Sequence, residues 1–212
     1  MRALYLVLLL LTAFGSSVSY GATVFYLHGK IVEDQGDLAS HPAHGIYKYK
    51  DIVQNLRTAG HSVVSEVRPK GTSRGRYAQK VVDQINTLIE GGKGPEDIAV
   101  IGFSKGAQIA VLVSQTLRQE KVRFVIQAVC GNWIRNRPNL KLVGDVYSMY
   151  EKSDSALSCS ALFHRSNIQA CETALNTGLS HGLFFQPRDA WVKPMLRWID
   201  TRTCESRLPA QK

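Results

Sequence analysis

The sequence is poor in cysteine, in aromatic residues and in long apolar runs. Four cysteines in 212 residues are too few for the disulfide framework of a miniprotein. None belongs to a CxxC pair, and no histidine stands at metal-finger spacing, so no zinc finger or ribbon is encoded. Aromatic residues make up 8% of the chain, and no block of consecutive basic residues interleaves with them. That removes the stacking platform of a single-strand nucleic-acid binder. After the N-terminal segment no run reaches the 18 or so apolar residues that a membrane span needs, which argues against a polytopic membrane protein. Internal repeats and low-complexity linkers are lacking as well. What remains is an ordinary globular composition, 44% hydrophobic and 20% charged. At this length one domain is expected, burying roughly 70% of its unfolded surface with no metal needed to fold.

The N-terminus reads as a targeting signal. Arg2 precedes the apolar run Ala3 to Ala13, and the small residues Gly15, Ser16, Ser17, Ser19 and Gly21 follow. The run is shorter than the roughly 20 residues that span a bilayer. Residues 1–21 are therefore expected to be a cleaved signal peptide, with the small-x-small site ending at Ser19 or Gly21. No cysteine lies nearby for lipid attachment. The mature protein is expected to be exported, either secreted or periplasmic, with no stable membrane insertion. Without Arg2 its net charge is +8. The densest basic stretch, Arg68 to Arg76, is rich in Gly and Ser and reads as a solvated loop, and no nucleic-acid partner is expected. In an oxidising compartment the four cysteines should form two disulfides. Of the three connectivities, Cys159–Cys171 closes a short loop and is favoured, leaving Cys130–Cys204.

Residues 22–204 read as one α/β domain, and 205–212 as a polar tail. Strands are expected at 23–27, 61–67, 97–101, 122–129 and within 140–149. Helical spacing of apolar residues marks about 45–59, 77–89, 105–118 and a terminal helix through Trp191, Met195, Trp198 and Ile199. The central strands are nearly continuous apolar runs. That is the pattern of a mostly parallel sheet with helices on both faces.

One turn carries chemistry. Gly102-Phe103-Ser104-Lys105-Gly106 is G-x-S-x-G between an apolar strand and a helix rich in small residues. A sharp strand-to-helix turn with small residues two positions either side projects the Ser104 hydroxyl above the sheet. The helix start behind it favours developing negative charge. Only His164 and His181 lie downstream. His181, in the turn-rich Gly178-Leu-Ser-His-Gly182, suits a base on a loop. Asp154 follows a late strand and suits the carboxylate that orients it, with Glu151 as the alternative; Asp145 begins that strand and lies at the wrong end of the sheet. An oxyanion needs two amide donors. Lys105 follows the nucleophile, and Lys30 lies in the loop after the first strand, where Gly29 is expected to give the turn its freedom. His28, ahead of the elbow in sequence, reads as structural. Trp133 is placed either along the substrate pocket or as a packed surface aromatic.

These residues together resemble the α/β-hydrolase-fold serine hydrolases. The resemblance rests on His28-Gly29, the Gly102–Gly106 elbow, Asp154 and His181-Gly182, and covers about 23–200. It implies a Ser104–Asp154–His181 triad, an acyl-enzyme intermediate, an acylated small-molecule substrate, and no metal or organic cofactor. Gly131 to Lys141, where lids are often inserted, is only eleven residues, so an uncovered site is implied. An ester hydrolase is expected first. A peptidase or amidase on the same triad, and a non-catalytic binding protein, are the competing readings.

Overall fold

The computed structural model describes residues 21–204 and 207–208. The segment expected to be a signal peptide, apart from Gly21, and most of the expected tail lie outside them. In chain order the elements are β1 (Thr23–Leu27), α1 (Lys30–Gln35), β2 (Ser40–His41), β3 (Gly45–Ile46), α2 (Tyr49–Thr58), β4 (Ser62–Val64), α3 (Arg74–Glu90), β5 (Ile98–Phe103), α4 (Lys105–Leu117), β6 (Arg123–Gln127), α5 (Asn132–Arg135), β7 (Asp145–Glu151), α6 (Ser160–Ser166), β8 (Ala170–Leu175), α7 (Asp189–Thr201) and β9 (Arg207–Leu208). Short 3₁₀ turns occupy Pro95–Asp97 and Ser180–Phe185.

The main sheet has seven strands in the order β4-β1-β5-β6-β7-β8-β9. All pair in parallel except β9, which runs antiparallel to β8. The β1–β5 register aligns Leu27 with Gly102, and the β5–β6 register aligns Phe103 with Gln127, so the strands end together at one edge of the sheet. Parallel strands need crossovers, and the helices supply them on both faces. Alternation along each strand feeds two cores. Val24, Tyr26, Ala99 and Ile101 face α2 and α7, whereas Phe25, Leu27, Ile98 and Val100 face α3 and α4. Fully burying one such aliphatic side chain contributes roughly 1.5–3 kcal/mol.

Several elements depart from the sequence reading. Helix α2 begins at Tyr49 rather than 45, because Gly45–Ile46 pairs with Ser40–His41 as a small hairpin. Helices α1 and α6 and strand β8 were not expected; each is only six or seven residues long, too short to show a periodic apolar pattern. Arg207 and Leu208, in the segment read as tail, form β9.

The disulfides join Cys130 to Cys159 and Cys171 to Cys204. The pairings favoured from loop length are overturned, and the two-sided sheet is the reason. Cys159 and Cys130 belong to the core beneath α3 and α4, while Cys171 and Cys204 belong to the core under α7. Cys159 and Cys171, although near in sequence, therefore lie on opposite faces of the sheet. None of the described helices is long and apolar enough to cross a membrane.

Candidate active site

Ser104 sits between β5 and α4 with φ 53° and ψ −116°. A non-glycine residue there stores roughly 1–3 kcal/mol of backbone strain and persists only where its surroundings over-determine it. The constraints are visible. The Ser104 amide donates to Gln127 O at 3.0 Å, and its carbonyl accepts from Gln108 N–H at 3.0 Å. A Cβ on Gly106 would lie 1.8 Å from Leu27 O, and one on Gly102 would lie 2.5 Å from Gly106 O. Gly106 is thus required for α4 to start this close to β1, and Gly102 for it to start this close to β5.

His181 lies in the 3₁₀ turn after β8, anchored by the buried Phe184 and Phe185. Its Nδ1 donates to Asp154 Oδ2 at 2.6 Å. The Asp154 side chain is only 4% exposed, against 30% for His181, so the acid sits behind the imidazole. Burial pushes the Asp154 carboxyl up, but the hydrogen bond and charge of His181 and the Ala156 amide outweigh it and hold it below its ordinary value.

Glu151, the alternative acid, does something else. It is fully buried and accepts from Ser153 N at 2.6 Å, Thr177 N at 2.7 Å and Gly178 N at 3.1 Å, and from the Ser153 hydroxyl. Burial alone would raise this carboxyl; the hydrogen bonds bring it down to about 2. Ser180 in turn bonds Ser153 through its N and Oγ, each at 3.2 Å. Glu151 therefore ties the loop of Asp154 to the loop of His181.

Ser104 and His181 open into one cavity of about 390 Å³, lined also by Gly29, Lys30, Phe103, Phe185 and the hairpin residues His41 and His44. The His41 and His44 rings stack 4.5 Å apart, and Phe103 lies 4.8 Å from the His181 ring. Lys30 and Lys105 are the first residues of α1 and α4. Amides in a first helical turn have no acceptor within their own helix. Gly29 has φ −68°, an ordinary value, so the freedom expected of it is not used. Its missing Cβ is used instead: one would stand 3.0 Å from the Phe103 ring.

Not every expected residue reaches the cavity. Trp133 is on α5, where it packs on the opposite core and carries Arg137 over its ring at 4.6 Å; it is not among the lining residues. His164 is on α6, beside a separate surface depression. His28 is fully buried and, as expected, structural. Burial, and then the Arg68 charge, lower its pKa to about 4. Arg68, read as part of a solvated loop, is buried with Glu33 beside it. The Lys105 side chain also turns inward to Glu33.

No protein-family model and no curated protein matches the sequence. Solved structures do match it. MGS-M1, an alpha/beta hydrolase enzyme from a Medee basin deep-sea metagenome library, superposes with a TM-score of 0.62 at 17% identity, covering 87% of this chain and 86% of that one. The chain has the α/β-hydrolase fold. XC6422 from Xanthomonas campestris, an a/b serine hydrolase without lid, gives 0.57 at 14% identity over 87% and 83%. The Francisella virulence factor BioJ gives 0.61 at 13% identity over 88% and 79%. Within this α/β-hydrolase fold, residues 131–141 between β6 and β7 hold only the four-residue α5 and a turn.

Proposed function

We propose that the chain is an exported serine hydrolase that cleaves an acyl ester, with Ser104 as nucleophile, His181 as base and Asp154 as its partner. The observation that carries the reading is the convergence on one cavity of a serine held at φ 53° and an imidazole bonded to a buried carboxylate. The description of XC6422 as a serine hydrolase without lid supports it.

His181 Nδ1–H to Asp154 leaves Nε2 as the basic nitrogen. That nitrogen takes the Ser104 proton as Oγ attacks the acyl carbonyl. The amides of Lys30 and Lys105 hold the oxyanion. The imidazolium, stabilised by Asp154, protonates the leaving alcohol. Water then attacks the acyl enzyme, with His181 again the base, and frees Ser104. The leader sequence and two disulfides support export.

The test is turnover of matched p-nitrophenyl esters and p-nitroanilides. A burst of nitrophenol equal to the active sites, followed by steady ester turnover lost in His181→Ala, is expected. Faster anilide than ester cleavage would replace the esterase reading with an amidase. No turnover of either by folded protein would favour a binding protein.

A further inference from the structure

We propose that a buried chain of side chains, Lys105–Glu33–Arg68–His28, is a brace that sets the two oxyanion-binding peptides. Its members are positioning residues, and the inference rests on the serine-hydrolase reading above. The Glu33 side chain has no exposure, and Lys105 and Arg68 keep 7% and 0%. Lys105 Nζ donates to Glu33 Oε1, and to Thr72 O at 2.8 Å. Arg68 Nε donates to Glu33 Oε2 at 3.4 Å. Arg68 also donates through Nη2 to His28 O, and through its own amide to His28 Nε2 at 3.0 Å. With Nε2 accepting, the ring proton is on Nδ1, which donates to Gly29 O at 2.8 Å.

That last bond gives the chain its meaning. The Gly29 carbonyl and the Lys30 N–H belong to one trans peptide, where they point in opposite directions. Holding the carbonyl against His28 aims the Lys30 N–H the other way, on the side of a residue that lines the cavity. The second peptide, Ser104–Lys105, is held at its carbonyl by Gln108 N–H and at its side chain by Glu33. Glu33 itself lies on α1, one turn after Lys30. The brace therefore fixes each peptide and the spacing between them. Buried ion pairs gain little net stability, because desolvation offsets the attraction. Three buried charges here are better accounted for by geometry than by stability.

The test uses Lys105→Met, Glu33→Gln and Lys105→Arg, with kinetics normalised to the sites that fluorophosphonate titrates. A boronic acid probe reports the tetrahedral state. In Lys105→Met, kcat and boronate affinity should fall together by roughly tenfold or more, short of the 10²–10³ lost with a whole oxyanion donor. KM should stay within about twofold, because the interaction is made only in the transition state. Lys105→Arg, which can still reach Glu33, should recover part of the loss. If Lys105→Met does not fold, Glu33→Gln, which keeps the shape, is read the same way. Normal kcat and boronate affinity per titrated site in either variant would overturn the brace. A wild-type protein that fails to label at Ser104 would instead overturn the reading beneath it.

Discussion

Asp154 Oδ2 accepts the His181 Nδ1 proton at 2.6 Å, although 27 positions separate the two in sequence. Their loops follow neighbouring parallel strands, β7 and β8, and Glu151 joins them at the base. The acid and the base are thus delivered by one edge of the sheet.

Replacing Asp154 by Asn should keep the fold and remove activity. The amide offers its oxygen or its NH₂ to the ring, so the tautomer is no longer fixed and the imidazolium loses its counter-charge. A drop in kcat of roughly 10³-fold or more is expected in a variant that still unfolds cooperatively. Steady-state ester kinetics on the purified variant check it. Near-normal turnover would remove Asp154 from the site.

Glu151→Gln should act on stability first. The variant places an NH₂ among amide donors that now meet a carboxylate. Losing buried hydrogen bonds to a charged acceptor costs about 1–3 kcal/mol. The sign with pH follows from the depressed carboxyl. An unfolded glutamate protonates near 4.3, and the folded one at about 2. Its stabilisation is complete above the unfolded value and is lost as pH falls through the folded one. Urea midpoints of the wild type should therefore drop between about pH 4.5 and 2 more steeply than those of Glu151→Gln.

His28 gives a second window. Its pKa falls to about 4 in the folded protein, against about 6.5 unfolded. The unfolded chain binds the extra proton in between, so stability is full above about 6.5 and declines toward 4. His28→Gln should be less stable at neutral pH and should lose this part of the slope. Equal slopes in the two proteins would refute a buried neutral His28.

Non-reducing peptide maps should contain Cys130 joined to Cys159 and Cys171 joined to Cys204. A Cys159–Cys171 peptide would contradict the fold, since the sheet lies between them. With separations of 29 and 33 residues, loop entropy puts the stabilisation from each bond at about 3–4 kcal/mol. Reduction should therefore lower the melting temperature clearly.

The strands β1, β5 and β6 were legible because both their faces are buried and they read as apolar runs. Helices α2, α3, α4 and α7 were legible from periodic apolar positions, and the elbow from its glycines. What was hidden is what only tertiary structure can bury. Glu33 and Arg68 are charged, so composition places them in solvent, yet each is the other's reason to be inside. Strand β8 carries Glu172, which is buried because it accepts the Cys159 amide at 2.8 Å and the Ser158 hydroxyl at 2.5 Å. The disulfide partners depend on which face of the sheet each cysteine occupies, and loop length says nothing about that. Trp133 followed a strand at the expected edge, but α5 carries it to the other core.

The most direct test of the central claim is the rate and site of fluorophosphonate labelling of the mature protein, read by peptide mass spectrometry. One fast adduct on Ser104 is expected, absent in Ser104→Ala and strongly slowed in His181→Ala. Folded wild-type protein that stays unlabelled, or that labels elsewhere, would contradict it.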